Sequence, residues 1–226
     1  KKKKKNNIVD YMMVYSDAVG KKYSSFIQGK YLSVGSFRSN SHRISKQKSK
    51  GIMYISHWRN FDPEFNITPT IKFGRYLKNQ ENLVKYLYNY CLSRKKKLII
   101  YGKYPSKIKD KEEAFYKNIL GNKNWTFKQN IREKSYNTAD NYELIVSTSS
   151  SMGYEALSRG SKVAFFNTDM LDETTSSRAF GWPNKFNLKG PFWDNKLSQV
   201  ACNTLLDKVL KYKKKYWIRL SSRYAK

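Results

Sequence analysis

Five consecutive hydroxyl residues, Ser147 to Ser151, are the part of this chain whose residue types most clearly suggest chemistry. They follow an apolar segment, Leu144 to Val146, and precede a segment from Met152 whose pattern predicts a helix. A helix that begins after a buried strand directs unpaired backbone N–H groups and the positive end of its dipole towards the strand's carboxyl end. Side-chain hydroxyls add further donors, so this hydroxyl loop (residues 147–151) is predicted to bind phosphate.

Two alternatives stay open for these residues. The serines and Thr148 are also typical helix caps, and a run of five could form a polar loop without a ligand. Glu155, predicted to lie in the first turn of the helix, could accept hydrogen bonds from a ribose. It could equally complete a capping box or favour the helix dipole.

The elements that would position this loop alternate regularly from Gly51 onward. Arg159 and Gly160 end the helix after the loop, and a further buried strand follows. The pattern predicts five strands and three more helices, the last capped by Asp194. The strands are Ile52 to Ile55, Leu98 to Tyr101, Trp125 to Lys128, Leu144 to Val146 and Lys162 to Phe166; the helices are Ile71 to Ser93, Asp110 to Leu120 and Asn195 to Lys215. Such alternation predicts an α/β fold, a Rossmann-like parallel sheet with helices on both faces.

Polar residues follow the predicted strands at the sheet edge where ligands of such folds bind. Besides the hydroxyl loop, they are Ser56, His57, Arg59, Lys103, Asn167 and Thr168. Hydroxyls with one lysine and one arginine around a helix N-terminus suit a diphosphate or a nucleoside phosphate. His57 is either a functional imidazole or an ordinary loop histidine. No carboxylate pair or metal-binding spacing accompanies these residues, so no metal is expected at the site.

A long segment from Arg178 to Asp194 is rich in aromatic residues and glycine and has no regular period. Irregular loops of this length are usually functional or held by aromatic packing. The segment is therefore either a packed loop or a wall on the acceptor or sugar side of the site.

The net charge of +28 raises the question of nucleic acid as a partner. Only 10 of the 45 basic residues are arginine, and the lysines are scattered among many Asn, Ile and Tyr residues, the set that AT-rich coding favours. Lysine lacks the planar guanidinium with which arginine forms bidentate hydrogen bonds to bases and phosphates, so nucleic acid is not favoured as a partner.

Cys91 and Cys202 lie in separate predicted helices, which indicates a reducing compartment without disulfides. The apolar runs are too short to span a membrane, so we expect a cytoplasmic protein, with peripheral contact to an anionic membrane as an option.

The hydroxyl loop and the residues after it, through Phe166, resemble bacterial surface-carbohydrate biosynthesis proteins, a group of GT-B-like glycosyltransferases. The loop residues Gly181 to Pro183 and Gly190 to Trp193 extend the resemblance, as do the upstream segments Gly35 to Asn40 and Ile52 to Ser56. Its most specific part is Gly153 to Ala156. The chain departs from many members by having serine at positions 149, 150 and 151, which leaves open which hydroxyl contacts phosphate.

The resemblance implies the carboxyl-terminal, donor-binding half of a GT-B enzyme, with residues 1–45 as a remnant of the amino-terminal domain and linker, and residues 46–226 as the nucleotide-sugar-binding domain. The chain begins at Lys1 rather than Met and is expected to be a fragment. The catalytic base is expected in the missing amino-terminal domain, and His57 is the candidate within this chain. The expected substrate is a nucleotide-sugar, with no separate cofactor, and the acceptor is a glycan or a lipid-linked glycan. The donor site would comprise Ser147, Thr148, Ser149, Ser150, Ser151, Gly153, Glu155, Arg59 and Lys103.

Two other functions remain as alternatives. Nucleotide-sugar 2-epimerases of similar architecture would use such a loop, but they need acid and base carboxylates and histidines in the interdomain cleft, which are scarce here. A basic nucleic-acid-binding module would show steeply salt-dependent binding to DNA or RNA.

Overall fold

The computed structural model describes residues 7–45, 49–61, 66–68, 71–104, 108–131, 134–167, 180–181, 183–184 and 186–224. Its main feature is a six-stranded, wholly parallel sheet. The strands are β3 (Ser49–Ile55), β6 (Leu98–Tyr101), β7 (Trp125–Lys128), β8 (Tyr142–Ser147), β9 (Val163–Phe166) and β10 (Trp193–Asp194). The central strands β3, β6, β8 and β9 are almost continuously apolar and buried, as expected of a parallel sheet covered on both faces.

Helices connect and cover these strands. They are α3 (Phe73–Ser93), α4 (Lys109–Leu120), α5 (Ser135–Asp140), α6 (Ser151–Ser158), α7 (Gln199–Lys211) and α8 (Lys214–Ser221). Helix α3 packs against α4 and α7, and α5 packs against α6. The predicted α/β fold with a Rossmann-like parallel sheet is therefore confirmed.

A smaller unit precedes this sheet. Strands β1 (Asn7–Val14) and β2 (Ile27–Ser33) form a separate two-stranded parallel sheet, joined by helix α1 (Asp17–Tyr23). A one-turn helix, α2 (Phe37–Asn40), follows in the segment expected to be a linker. The short strands β4 (Asn66–Thr68) and β5 (Ile71–Lys72) form a third, antiparallel pair.

The prediction for the last helix was wrong in two respects. Asp194 does not cap it, because Asp194 lies in β10 opposite Phe166, and the cap is Ser198, whose hydroxyl accepts from the N–H of Ala201 at 3.1 Å. The helix is also not continuous, because Tyr212 has an extended backbone and separates α7 from α8. This break lets the indole N–H of Trp217 donate to the carbonyls of Gly160 and Ser161.

Candidate nucleotide-binding site

The strand order of the main sheet creates a crevice between β3 and β8. Taken in chain order, the six strands lie side by side as 3-2-1-4-5-6. In this topology the connections from the two central strands lead in opposite directions, and ligands bind beyond their carboxyl ends. Residues after β3 and β8 meet there, with Nε2 of His57 and Oγ of Ser149 forming a 3.3 Å hydrogen bond. The structure thus brings two of the predicted site residues together across the crevice.

The helix after the hydroxyl loop begins at Ser151, and its first turn is not capped by a side chain. Ser150 is the N-cap residue by position, but its hydroxyl forms no capping hydrogen bond. The serines before α1, α2 and α7 do cap their helices. The N–H of Gly153 donates to the carbonyl of Ser150 at 3.0 Å. The other first-turn N–H groups of α6 receive no side-chain cap and have donor capacity that a ligand could use, so the capping-only interpretation is not supported by this geometry.

The five hydroxyls of the loop fall into two groups. Ser147 and Thr148 are buried, and within the described part of the chain their hydroxyl oxygens have no hydrogen-bond partner. Ser149 and Ser150 are half-buried and Ser151 is exposed. The three outer serines line the adjacent cavities, whereas the two inner hydroxyls lie beneath them.

Two adjoining cavities, of about 880 and 640 Å³, form a cleft between the β1–β2 unit and the carboxyl edge of the main sheet. Their volumes are in the range of small-molecule sites. The residues that line both are Met13, Val14, Tyr15, Gly35, Ser36, His57, Ser151 and Glu155. The β1–β2 unit and the connection after it therefore supply much of the wall facing the hydroxyl loop.

Glu155 lies at the floor common to both cavities and is held by two hydroxyls. Oε1 accepts from Ser36 at 2.5 Å, and Oε2 accepts from Tyr136 at 3.0 Å. Because α6 begins at Ser151, Glu155 is in its second turn, which corrects the prediction of a first-turn carboxylate and excludes a capping box. Each carboxylate oxygen can accept more than one hydrogen bond, so capacity for a ligand hydroxyl remains.

The two predicted cations lie in different cavities. Lys103 is exposed and lines only the larger one, with Nζ 5.3 Å from the ring centroid of Tyr104. Arg59 lines only the smaller one, and its guanidinium carbon is 5.8 Å from the ring centroid of Tyr76. Its buried Nε has no hydrogen-bond partner among the residues that the structure describes. The structure therefore places one basic residue in each cavity rather than both in one.

A buried carboxylate, Glu112 of α4, was missed by sequence reasoning. It accepts hydrogen bonds from the backbone N–H groups of Lys103 and Tyr104 and from the hydroxyl of Ser56. Burial raises the pKa of Glu112, while these hydrogen bonds act in the opposite direction. The carboxylate links the ends of β3 and β6 and so fixes the turn that carries Lys103. Its only sequence signal is that it shares the buried stripe of α4 with Tyr116.

The described part of the aromatic segment is held by aromatic packing and also lines a cavity. Phe180, Phe192 and Trp193 are buried in an aromatic cluster, with the ring centroids of Phe180 and Trp193 4.5 Å apart. The N–H of Gly181 donates to the hydroxyl of Tyr154 at 3.1 Å. Pro183, Asn184 and Phe186 line the smaller cavity. Thr168, Arg178 and Trp182 lie outside the described residues.

Within the described residues, no helix has the length and apolar character needed to cross a bilayer. The same part of the chain contains no group of three or more His, Cys, Asp or Glu side chains placed to hold a metal ion.

Several solved structures share this fold. Wall teichoic acid polymerase TagF matches with a TM-score of 0.53 and 15% identity over 96% of this chain and 53% of TagF. The GtfA/B complex matches with a TM-score of 0.52 and 15% identity over 96% of this chain and 42% of that one. The chain thus spans about half the length of these proteins. A UDP-GlcNAc 2-epimerase from Methanocaldococcus jannaschii gives a TM-score of 0.46 at 12% identity, covering 78% of this chain and 45% of the epimerase.

At these identities the matches to TagF and the GtfA/B complex show a common fold and not a common reaction. No curated protein sequence matches the chain. A family model described as "putative O-antigen biosynthesis protein" matches residues 1–226, the whole chain. This match confirms the resemblance to surface-carbohydrate biosynthesis proteins. The chain belongs to this O-antigen biosynthesis protein family.

Proposed function

We propose that the chain binds the nucleotide part of a nucleotide-sugar and acts as the donor-binding domain of a metal-independent GT-B glycosyltransferase in surface polysaccharide or glycan synthesis. The observation that carries the proposal is the uncapped first turn of α6, which follows the hydroxyl loop at the crevice between β3 and β8. Membership of an O-antigen biosynthesis family supplies the context in which sugars are transferred.

Several features of the geometry support the binding of a leaving nucleoside phosphate. The first-turn N–H groups of α6 and the outer serines would donate to phosphate oxygens, with the helix dipole favouring their negative charge. Lys103 or Arg59 would offset the remaining charge, depending on which cavity holds the phosphates. Glu155 would accept from ribose hydroxyls. His57, on the walls of both cavities, is the candidate for proton transfer.

The 2-epimerase alternative is less well supported by the cleft. Glu155 is the only carboxylate among the described residues that line it, and Ser36 and Tyr136 already bind its two oxygens. Epimerisation through acid and base carboxylates would need groups that these walls do not offer. A nucleic-acid module has no specific observation in its favour at this site.

Calorimetric titration of the protein with nucleoside diphosphates tests the proposal. Replacing Ser150→Ala together with Ser151→Ala should weaken binding by about 1 to 3 kcal/mol, the scale of hydrogen bonds to a charged group. The matched control is Ser25→Ala with Ser222→Ala, two exposed serines whose hydroxyls bond only local backbone carbonyls. Equal effects in both pairs, or no binding by the unaltered protein, would overturn the proposal.

The metal-independent part has its own test. The same titration is repeated after treatment with EDTA and again with added magnesium. Because helix N–H groups and basic side chains would carry the phosphate charge, affinity should be unchanged by chelation. Loss of the binding signal without divalent ions would contradict this part of the proposal only.

A further inference from the structure

The carboxyl-terminal segment of the chain carries charges of one sign only, all positive. From Lys208 to Tyr224 it contains seven basic and no acidic residues. All seven are exposed: Lys208, Lys211, Lys213, Lys214, Lys215, Arg219 and Arg223. None of them forms a salt bridge within the described part of the chain. The nearest preceding acid, Asp207, is already bound by Arg94, with 2.7 Å between Oδ2 and Nη2. We call these residues and the side chains among them the basic helix surface.

Apolar side chains lie exposed among these charges. Helix α8 buries Trp217 and Leu220 against the core, but Tyr216 and Ile218 remain 45% and 46% exposed. The guanidinium carbon of Arg219 is 5.8 Å from the ring centroid of Tyr216, so the aromatic ring is part of the same surface. Phosphate contacts alone would not use an exposed isoleucine. Aromatic and aliphatic side chains interspersed with lysine are typical of helices that lie in the headgroup region of a bilayer.

The first turn of α8 lies away from the cleft, whereas Tyr224, at the carboxyl end of the segment, lines the smaller cavity. Trp217 of α8 donates to the carbonyls of Gly160 and Ser161, which precede β9 and therefore lie at the amino edge of the main sheet. The hydroxyl loop lies at the carboxyl edge, on the opposite side of the sheet. A planar partner that binds the first turn of α8 would thus not close the cleft.

From the charge and the exposed apolar side chains, we propose that the basic helix surface docks on an anionic lipid bilayer. The lysines contact lipid phosphates, and Tyr216 and Ile218 insert between headgroups. Lysine suits this partner because its long apolar stem follows the interface while its ammonium stays hydrated. Juxtaposed basic clusters of this size attract anionic lipid surfaces without needing a defined pocket. This inference does not depend on the function proposed for the cleft.

Co-sedimentation of the full chain with vesicles tests the proposal. The vesicles contain phosphatidylcholine alone or phosphatidylcholine mixed with phosphatidylglycerol. The variant Lys213→Glu, Lys214→Glu, Lys215→Glu should lower partitioning onto the anionic vesicles at least about a hundredfold. Glutamate at the start of α8 favours the helix dipole, so the variant should fold, which circular dichroism checks. The matched control, Lys85→Glu, Lys111→Glu, Lys123→Glu, changes net charge equally at exposed positions on α3, α4 and the α4–β7 connection.

A second variant distinguishes binding to lipid from binding to nucleic acid. Ile218→Ser keeps every charge, so it should weaken binding to anionic vesicles several-fold while leaving binding to a mixed-sequence RNA unchanged. Binding to anionic but not neutral vesicles, lost in the α8 variant and retained in the control, supports the proposal. The proposal would be overturned by equal losses of vesicle binding in the two triple variants, or by a lack of vesicle binding in the unaltered protein. It would also be overturned if the protein bound RNA more tightly than vesicles and Ile218→Ser had no effect on vesicle binding.

Discussion

Ser147 and Ser150 are separated by only two residues in a run of five hydroxyls, yet the fold gives them different surroundings. Ser147 is the last residue of β8 and is fully buried, whereas Ser150 is the first residue outside α6 and lines the larger cavity. The sequence predicts the loop and the helix that follows it, because both depend on local pattern. Which hydroxyls face the cleft depends on how α6 packs against β8, which no local pattern specifies.

Gly153 provides a direct test of that packing. A Cβ atom at Gly153 would lie 2.3 Å from Oγ and 2.5 Å from Cβ of Ser147, so Gly153→Ala must displace α6 from β8. We expect the substitution to lower the free energy of unfolding by about 1 to 3 kcal/mol, the usual effect of overpacking. Urea denaturation measures this effect. Adding Ser147→Gly should restore part of the loss by removing both clashing atoms, and purely additive losses would contradict the proposed contact.

The proposed hydrogen bond between Glu155 and the ribose can be tested while the structural contacts of this side chain are kept. In Glu155→Gln the side-chain shape is kept and the hydroxyls of Ser36 and Tyr136 can reorient, so only a small loss of stability is expected. Titration should compare a ribonucleoside diphosphate with its 2′,3′-dideoxy analogue. We expect the unaltered protein to prefer the ribonucleotide and Glu155→Gln to lose most of that preference, about tenfold for a hydrogen bond of about 1.4 kcal/mol to a charged acceptor. An unchanged preference would assign Glu155 to the protein scaffold alone.

At the scale of elements, hydrophobic pattern was a good guide where burial is strong. Strands β6 and β7 match their predicted bounds, and β3, β8 and β9 match within three residues at each end. The two-residue strand β10 and the helix α5 were not predicted, because two residues carry no period and the sequence of α5, Ser135 to Asp140, has little apolar character. The break between α7 and α8 accompanies the tertiary contact of Trp217 with the β9 connection, which the continuous helical pattern could not reveal.

A buried ion pair joins the connection after β2 to the main sheet's helices. Arg159, at the end of α6, binds Asp140 of α5 through two nitrogens, at 2.5 and 3.1 Å. It also donates to the carbonyls of Ser39, His42 and Arg43, and Asp140 accepts from the N–H of Ser45. The two side chains are 5% and 1% exposed. The pair therefore fixes the connection that carries Ser36 to the cleft.

Removing the arginine should be costly. Arg159→Met leaves the Asp140 carboxylate buried without its partner, so we expect a loss of about 3 to 5 kcal/mol in the free energy of unfolding, measured by urea denaturation. The matched comparison is Arg94→Met, which breaks a pair with Asp207 whose side chains are 51% and 32% exposed. That pair should contribute about 1 kcal/mol or less. Similar losses in the two variants would contradict the structural role assigned to Arg159.

The exposed pair also has a defined dependence on pH. The hydrogen bond from Arg94 is the main cause that lowers the pKa of Asp207 below its usual value. A lowered carboxyl pKa means that the pair's contribution to stability is present at neutral pH and is lost as pH falls through the folded-state pKa. The difference in stability between Arg94→Met and the unaltered protein should therefore shrink in acid, and a difference that grows there would contradict the assignment.

For the whole molecule, composition alone did not identify the function. The charge of +28 raised nucleic acid as a possible partner, the low share of arginine argued against it, and the family match indicates O-antigen biosynthesis. The cleft could not be predicted either, because it lies between the β1–β2 unit and the main sheet and depends on their relative position. The division into residues 1–45 and 46–226 stays a prediction, although Ser36 and the 39–45 segment are bonded to α5 and α6.

The reactivity of the two cysteines can show whether the main sheet and its helices unfold cooperatively. Cys91 of α3 and Cys202 of α7 are free and buried, on helices that pack against each other. Burial raises the pKa of Cys91 to about 12 and also raises that of Cys202. The thiolate is the reactive form, so both thiols should resist alkylation at about pH 8 in the native protein and react in urea.

Mass spectrometry of the alkylated protein then distinguishes global from local opening. If the main sheet and its helices unfold as one unit, each opening exposes both thiols together. With reagent concentrated enough to alkylate faster than the chain refolds, only unlabelled and doubly labelled species should be seen. Accumulation of a singly labelled species under native conditions would show that α3 or α7 opens by itself, and would contradict a single cooperative core.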